Sequence, residues 1–74
     1  MSRLPTLTAK KVFQALERGG FELYHSHGSH LYLMHPRTKR LTTVPMHSGD
    51  LRRGLLKQII KQAGLSETEF RKLL

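Results

Sequence analysis

The order of periodic segments along the chain constrains its fold more than any other feature of the sequence. A helical pattern comes first, three short alternating segments follow, and a second helical pattern and a shorter third one complete the 74 residues. Each main helical pattern has one apolar face, and a three-stranded sheet needs cover on one side. The sequence therefore predicts an α+β fold of the order α-β-β-β-α, with a three-stranded antiparallel sheet, the helices on one face and a short C-terminal helix.

The first predicted helix follows Thr8, which can serve as its N-cap. Between residues 9 and 16, apolar side chains recur at the i, i+3, i+4, i+7 spacing of a single helical face. Gly19 and Gly20 come next, and glycine can end a helix in the left-handed conformation. We therefore expect this helix to end just before the two glycines.

A second helix is predicted at residues 51–63, where leucine, isoleucine and alanine form a broad apolar stripe. Ser48 and Asp50 are its two candidate N-caps. Gly54 lies inside this helix, where glycine costs about 1 kcal/mol relative to alanine, so we expect another backbone to approach closely there. Residues 66–69 then match a capping box, which predicts the short final helix.

Three strands are predicted between the main helices, at residues 21–26, 30–35 and 41–44. In the first, Phe21 and Leu23 alternate with polar residues, which predicts one face on the core. In the second, Leu31 and Leu33 share one side, so His30 projects from the other. The alternation in the third strand is too poor to assign its inward face.

Composition limits what so short a chain can be. Without cysteine it can form neither a disulfide nor a thiolate metal site, so packing or a partner must stabilise it. We expect one domain over residues 1–74, with residues 1–7 as a flexible N-terminal segment and no enclosed cofactor cavity. The sequence has neither a signal-peptide pattern nor an apolar run of membrane-spanning length, which predicts a soluble, cytoplasmic protein with no membrane partner.

The charge of the chain indicates the kind of partner it attracts. Thirteen lysines and arginines stand against five acidic residues, giving a net charge of +8. Such a field concentrates polyanions, of which nucleic acid is the commonest inside cells. An acidic protein partner would be attracted equally well, and positive charge can also serve solubility alone.

Five histidines are the next unusual feature: His25, His27, His30, His35 and His47. A zinc site is one explanation of the His-x-His spacing, but no cysteine or convergent carboxylate completes the ligand set. An ordinary structural role is favoured for His35, which precedes a proline in a turn. For His25 and His27, an ordinary surface role and contact with a substrate stay open.

His30 differs from the others because it begins a strand on the side opposite to the apolar leucines. On an open sheet face its imidazole would be accessible to a polyanion and could transfer protons. RNA suits such chemistry, since deprotonating its 2′-hydroxyl and protonating the departing 5′-oxygen cleaves the chain without a metal. Positive charge nearby would stabilise the charge that develops on the phosphate.

The segment before the second helix is a candidate anion site. A phosphate could lie on the backbone amides of residues 48–51 if these begin the helix. Alternatively, Ser48 is a simple cap and His47 is a packing residue, and the sequence favours neither interpretation over the other.

Five motifs follow one another along the chain: Gly19-Gly20-Phe21, Gly28-Ser29-His30, Val44-Pro45-x-His47, Gly54 followed by Leu56, and Ile59 to Ser66 with Glu69-Phe70. In this order they resemble the motifs of the HicA mRNA interferase toxins of bacterial and archaeal toxin–antitoxin pairs. The resemblance runs from about Thr8 to the C-terminus. Many members have Gly-Thr-Leu where this chain has Gly54-Leu55-Leu56, so one hydroxyl near the second helix is absent.

The resemblance implies a fold like that of double-stranded RNA-binding domains and ribosome-independent cleavage of mRNA. It implies that the histidine of the glycine-serine-histidine motif, His30, is essential. It also implies a HicB antitoxin that covers the site. We therefore expect the toxin of a type II system, a metal-independent ribonuclease that needs no cofactor, arrests translation and is neutralised by HicB.

The expected site has a catalytic centre and a set of RNA-binding residues. One imidazole cannot be both base and acid in a concerted cleavage, so we expect a second group to assist His30: His47, His25 or a lysine. The expected RNA contacts are Ser29, Lys39, Arg40, Ser48, Arg52, Arg53 and Lys57. The alternatives are a non-catalytic RNA-binding module of the same fold and an interaction protein that holds an acidic partner.

Overall fold

A computed structural model of the chain describes residues 4–46 and 49–74 and has the predicted order of elements. The elements are α1 (Ala9–Arg18), β1 (Glu22–His27), β2 (His30–Met34), β3 (Leu41–Pro45), α2 (Arg53–Gln62) and α3 (Glu67–Arg71). The strands form one antiparallel sheet in the order β1-β2-β3, which confirms the predicted α+β fold. Within the described ranges, no helix has the length and apolarity that crossing a membrane requires.

Local signals define both ends of α1, as the sequence predicts. The Thr8 hydroxyl accepts a hydrogen bond from the Lys11 amide at 3.3 Å, so Thr8 is the N-cap. At the other end, Gly20 has a φ of 97°, which a residue with a Cβ rarely adopts. The Phe21 amide then donates to the Leu16 carbonyl at 3.0 Å, closing the helix with a Schellman motif.

The second helix begins later than predicted. It starts at Arg53, and its N-cap, Arg52, makes no side-chain capping bond. Asp50 is therefore not the cap, and Ser48 lies outside the described residues. The expected close approach of a backbone at Gly54 is also wrong, because a Cβ placed there would meet no atom within 4 Å.

Pairing with the N-terminal segment explains the late start of α2. Asp50 forms an isolated antiparallel bridge with Thr8, and the Leu51 amide donates to the Leu7 carbonyl at 2.8 Å. Both Leu7 and Leu4 are buried. The N-terminal segment, expected to be flexible, thus packs into the core from its fourth residue, and the extended backbone that pairs with it cannot be helical.

The register of β2 and β3 defines which side of the sheet faces the core. Leu33 lies opposite Thr42, and Leu31 lies opposite Val44. Of these four, all but Leu31 are buried, and Leu31 is half-buried. The inward residues of β3, which the sequence leaves unassigned, are therefore Thr42 and Val44. The largest fully buried side chains of the core are Phe70, Leu16, Leu33, Leu56, Ile59, Val12, Val44 and Thr42.

The first strand differs from the prediction that one of its faces packs on the core. All six residues of β1 are exposed, including Leu23 at 53% and Tyr24 at 61%. Only Phe21, which precedes the strand, is buried. The apolar residues that the helices cover lie on β2 and β3, so β1 is an uncovered edge strand, with a bulge between Leu23 and His25.

Candidate active site

His30 lies at the start of β2, directly after a two-residue turn. Gly28 opens that turn with a φ of 60°, and His27 pairs with His30 across it. Because Leu33 points to the core, the alternation of the strand places His30 on the opposite, open face. The residue is exposed, which confirms the position predicted for it.

A groove separates the open face of the sheet from α2, and His30 forms part of its wall. The groove has a volume of about 160 Å³, well above the ~15 Å³ that a single water needs. A group the size of a phosphate can therefore enter it. Three residues of the sheet and four of α2 line the groove: His30, Thr43, Pro45, Leu55, Gln58, Ile59 and Gln62.

A buried hydroxyl holds the helical wall of the groove in place. Thr42 is 1% exposed, and its Oγ1 donates to the backbone carbonyl of Ile59 at 3.1 Å. The same hydroxyl lies 3.2 Å from Oε1 of Gln62. Because Thr42 belongs to β3 and both partners belong to α2, this contact fixes the helix beside the edge strand. Sequence reasoning missed the groove residues, since they come together only when α2 packs on β3.

Two further histidines share the open face with His30. The register pairs His27 with His30 and His25 with Tyr32. Residues directly opposite in an antiparallel pair have Cβ atoms about 4.5–5.5 Å apart and point to the same side. Both His25 and His27 are exposed. The described histidine nearest to His30 along this register is therefore His27, which sequence reasoning did not name as an assisting group.

His35 has the structural role expected of it. Its Nδ1 accepts hydrogen bonds from the backbone amides of Arg37 at 3.2 Å and Thr38 at 3.4 Å. Its ring packs edge-on against Phe21, with centroids 5.2 Å apart. The opposite nitrogen faces Gly20, where an added Cβ would lie only 2.8 Å from it. His35 thus joins the second turn to the end of α1.

The predicted anion site before α2 is only partly described. His47 and Ser48 lie outside the described residues. The amide of Leu51 is used by the Leu7 carbonyl at 2.8 Å, and the helix begins only at Arg53. The prediction that residues 48–51 present helix-terminal amides to a phosphate is therefore wrong at Leu51.

The expected RNA contacts do not form one patch. Ser29 is exposed beside His30 in the turn. Lys39 and Arg40 lie beyond the other end of β2 and β3: Arg40 is opposite His35, five residue steps or about 17 Å from His30 along the strand, and Lys39 is in the turn. The Arg40 guanidinium packs at the end of α2, with Nε 3.0 Å from where a Cβ of Gly64 would be.

The basic residues of α2, Arg53, Lys57 and Lys61, lie along one side of the helix, away from the groove. Arg52 is exposed at the N-terminus of the helix, whereas Arg53 donates from Nη1 to the Leu4 carbonyl at 3.2 Å. Lys57 lies 4.0 Å from Glu67 on α3. Helical periodicity puts Lys57 about 100° and Arg53 about 140° around the axis from Gln58, away from the groove. Lys61, which sequence reasoning did not select, lies about 40° around the axis from Lys57, on the same side of α2 and also away from the groove.

Within residues 4–46 and 49–74, no three histidine, cysteine, aspartate or glutamate side chains are grouped so that they could hold a metal ion. The His-x-His spacing of His25 and His27 therefore does not gather a zinc ligand set from this part of the chain.

Comparison with known proteins gives one match. The family model described as the HicA toxin of bacterial toxin–antitoxin systems matches residues 9–65. This range covers 57 of the 74 positions and includes every element from α1 to α2. Among curated proteins, none matches the chain.

Proposed function

Because the chain belongs to the HicA family of bacterial toxins, we propose that it is an mRNA interferase of a type II system, a metal-independent endoribonuclease with His30 as its catalytic residue. The observation that supports this most is the exposed position of His30 in the wall of a groove between the sheet and α2. Cleavage of mRNA by this site arrests translation, and a HicB antitoxin neutralises the toxin by covering the same face.

The proposed reaction needs two proton transfers. The 2′-oxygen of a ribose loses its proton to a base and attacks the adjacent phosphorus. The bond from phosphorus to the 5′-oxygen breaks, and an acid protonates that oxygen as it leaves. The products are a 2′,3′-cyclic phosphate and a free 5′-hydroxyl. A neutral imidazole can accept the first proton, and a protonated imidazole can supply the second.

His27 is the described residue best positioned to be the second imidazole. It lies directly opposite His30 across the hairpin, and both side chains are exposed on the same face. His25 is one row further along the sheet, beside Tyr32. We therefore propose His27 as the assisting group, ahead of His25, while His47 lies outside the described residues.

The groove supplies hydrogen bonds for the phosphate that reacts. The amides of Gln58 and Gln62 and the hydroxyl of Thr43 line it together with His30. Donors held in place around the phosphate stabilise the negative charge that develops as the 2′-oxygen attacks. The net charge of +8 adds a long-range attraction for the RNA chain.

The test is replacement of His30 by alanine, with cleavage of labelled RNA followed in EDTA. Since general acid–base catalysis contributes about 10²- to 10⁴-fold, we expect His30→Ala to lower the cleavage rate by at least about 10²-fold. Thermal unfolding should change little, because the side chain is exposed. Gln14→Ala, at an exposed position of α1, is the matched control and should cleave like the original protein.

Three results would contradict the proposal. Undiminished cleavage by His30→Ala would remove the catalytic role of this residue. RNA that is bound but left intact by the original protein would favour a non-catalytic module of the same fold. Cleavage that EDTA abolishes would show that a metal takes part.

A further inference from the structure

We propose that the open face of the sheet is a stacking platform for the unpaired bases of single-stranded RNA, centred on His25 and Tyr32. The proposal rests on the proposed function in one respect, since it takes RNA to be the ligand. It adds the form of RNA that is recognised and the residues that recognise it.

The rings of His25 and Tyr32 lie next to each other on this face. His25 and Tyr32 are paired in the register of β1 and β2, and their ring centroids are 5.5 Å apart with an interplanar angle of 42°. Tyr24 adds a third ring, 6.4 Å from His25. Both β1 residues are exposed, and Tyr32 is half-buried. Aromatic rings held side by side on an open sheet can accept the flat faces of nucleotide bases.

The distribution of charge fits bases on the sheet and phosphates around it. The three strands contain no lysine or arginine. The basic residues instead border the sheet: Arg37 and Lys39 are exposed in the turn after β2. An RNA strand that lays its bases on the aromatic rings would therefore find its negative phosphates close to these cations.

Stacking of this kind selects single strands. In a duplex the base faces are covered by their neighbours, and proteins contact duplex RNA mainly through its shape, phosphates and 2′-hydroxyls. Only unpaired bases can lie on His25 and Tyr32. A fold of the double-stranded RNA-binding type thus presents a surface suited to the opposite class of RNA.

The platform lies about the length of one nucleotide from His30, the proposed catalytic residue. Tyr32 is two residues along β2 from His30, about 7 Å away and on the same face. A base stacked on Tyr32 would carry its neighbouring phosphate toward the groove that His30 lines. The platform would then position the RNA strand for cleavage.

Binding can be measured without cleavage in the His30→Ala background. The probes are a short fluorescein-labelled single-stranded RNA and the same sequence annealed to its complement, followed by fluorescence anisotropy. We expect tighter binding of the single strand. Adding Tyr32→Ala should weaken single-strand binding about tenfold, in the range of stacking on one aromatic side chain, with less effect on the duplex. Tyr32→Phe, made instead of Tyr32→Ala in the same background, should leave the affinity for the single strand unchanged, because it keeps the aromatic ring.

Further measurements separate stacking from charge and from misfolding. The dependence of affinity on salt should be the same for Tyr32→Ala and its parent, since no charge is removed. Gln14→Ala in the same background is the matched control, and thermal unfolding reports whether each variant is folded. His25→Ala, at a more exposed position, is a second test of the platform and should also weaken single-strand binding.

Equal affinity for duplex and single strand would overturn the proposal, as would full binding by a folded Tyr32→Ala protein. Loss of affinity in Tyr32→Phe equal to that in Tyr32→Ala would show that the hydroxyl, not the ring, makes the contact. The ribonuclease proposal fails separately, when the original protein leaves RNA intact. In that case a stacking effect at Tyr32 would still establish the platform.

Discussion

The hydroxyl of Thr42 provides a stability test of how α2 is held beside the sheet. Thr42→Val keeps the shape of the side chain and replaces the hydroxyl by a methyl group. The change removes the hydrogen bond to the Ile59 carbonyl and the contact with Gln62. It alters neither the charge of the protein nor the β-branched character that suits a strand.

The expected loss of stability in Thr42→Val depends on the hydrogen bonds that Ile59 and Gln62 keep. The Ile59 carbonyl still accepts the Ala63 amide at 3.0 Å, so it is not left without a partner. Gln62 is exposed, and its amide can bond to water instead. The cost is then the net value of one hydrogen bond, about 1 kcal/mol, rather than the larger cost of an unsatisfied buried group. Thr42→Ala loses a methyl group as well and should cost about 2 kcal/mol.

Urea unfolding followed by circular dichroism measures both differences. In thermal unfolding of a domain of this size, a loss of about 1 kcal/mol in the free energy of unfolding lowers Tm by roughly 4–8 °C. A loss above about 3 kcal/mol for Thr42→Val would mean that the carbonyl depends on the hydroxyl, contrary to the bonding described. No loss at all would mean that the hydroxyl does not hold α2.

Three further predictions concern the rest of the fold. Gly20→Ala should lower the free energy of unfolding in urea by about 2 kcal/mol or more, because φ at Gly20 is 97° and the new Cβ would lie 2.8 Å from the His35 ring. An unchanged free energy of unfolding would contradict the left-handed turn. Phe70→Ala should lower the free energy of unfolding by about 3–5 kcal/mol, since Phe70 is fully buried. A loss below about 1 kcal/mol would show that α3 is not part of the core. Two hydrogen bonds lower the pKa of Glu69 below 4.5, and the one from the backbone amide of Ser66 has a larger effect than the one from the Ser66 hydroxyl. The stability that this carboxylate contributes is therefore present above pH 4.5 and is lost as the pH falls through the pKa of the folded state. Glu69→Gln should therefore unfold with a weaker dependence on pH in that acidic range, and an unchanged dependence would contradict the assignment.

Features set by neighbouring residues could be predicted from the sequence. The cap at Thr8, the stop at Gly20 and the capping box at Ser66 each depend on a few consecutive residues. The open position of His30 depends only on the alternation that places Leu33 in the core. The pairing of His27 with His30 is also predictable from the sequence, because a two-residue turn places the residues before and after it opposite each other.

Features set by distant contacts could not be predicted in this way. The start of α2 depends on the bond from Leu51 to Leu7, which joins segments far apart in the chain. Alternation predicts the apolar side of β1 but not whether a helix covers it, so the exposure of Leu23 was unexpected.

The uncovered first strand separates part of the protein surface from the stability of the fold. Substitutions at exposed positions away from caps and buried bonds usually change stability by no more than about 0.5 kcal/mol. All six side chains of β1 are exposed, and His25 and His27 are among them. Residues on this strand can therefore be replaced with little effect on folding, whereas the inward residues of β2 and β3, such as Leu33 and Val44, are constrained by the core. Substitutions along this edge of the sheet would therefore change what the open face can contact while the packing of the core stays the same.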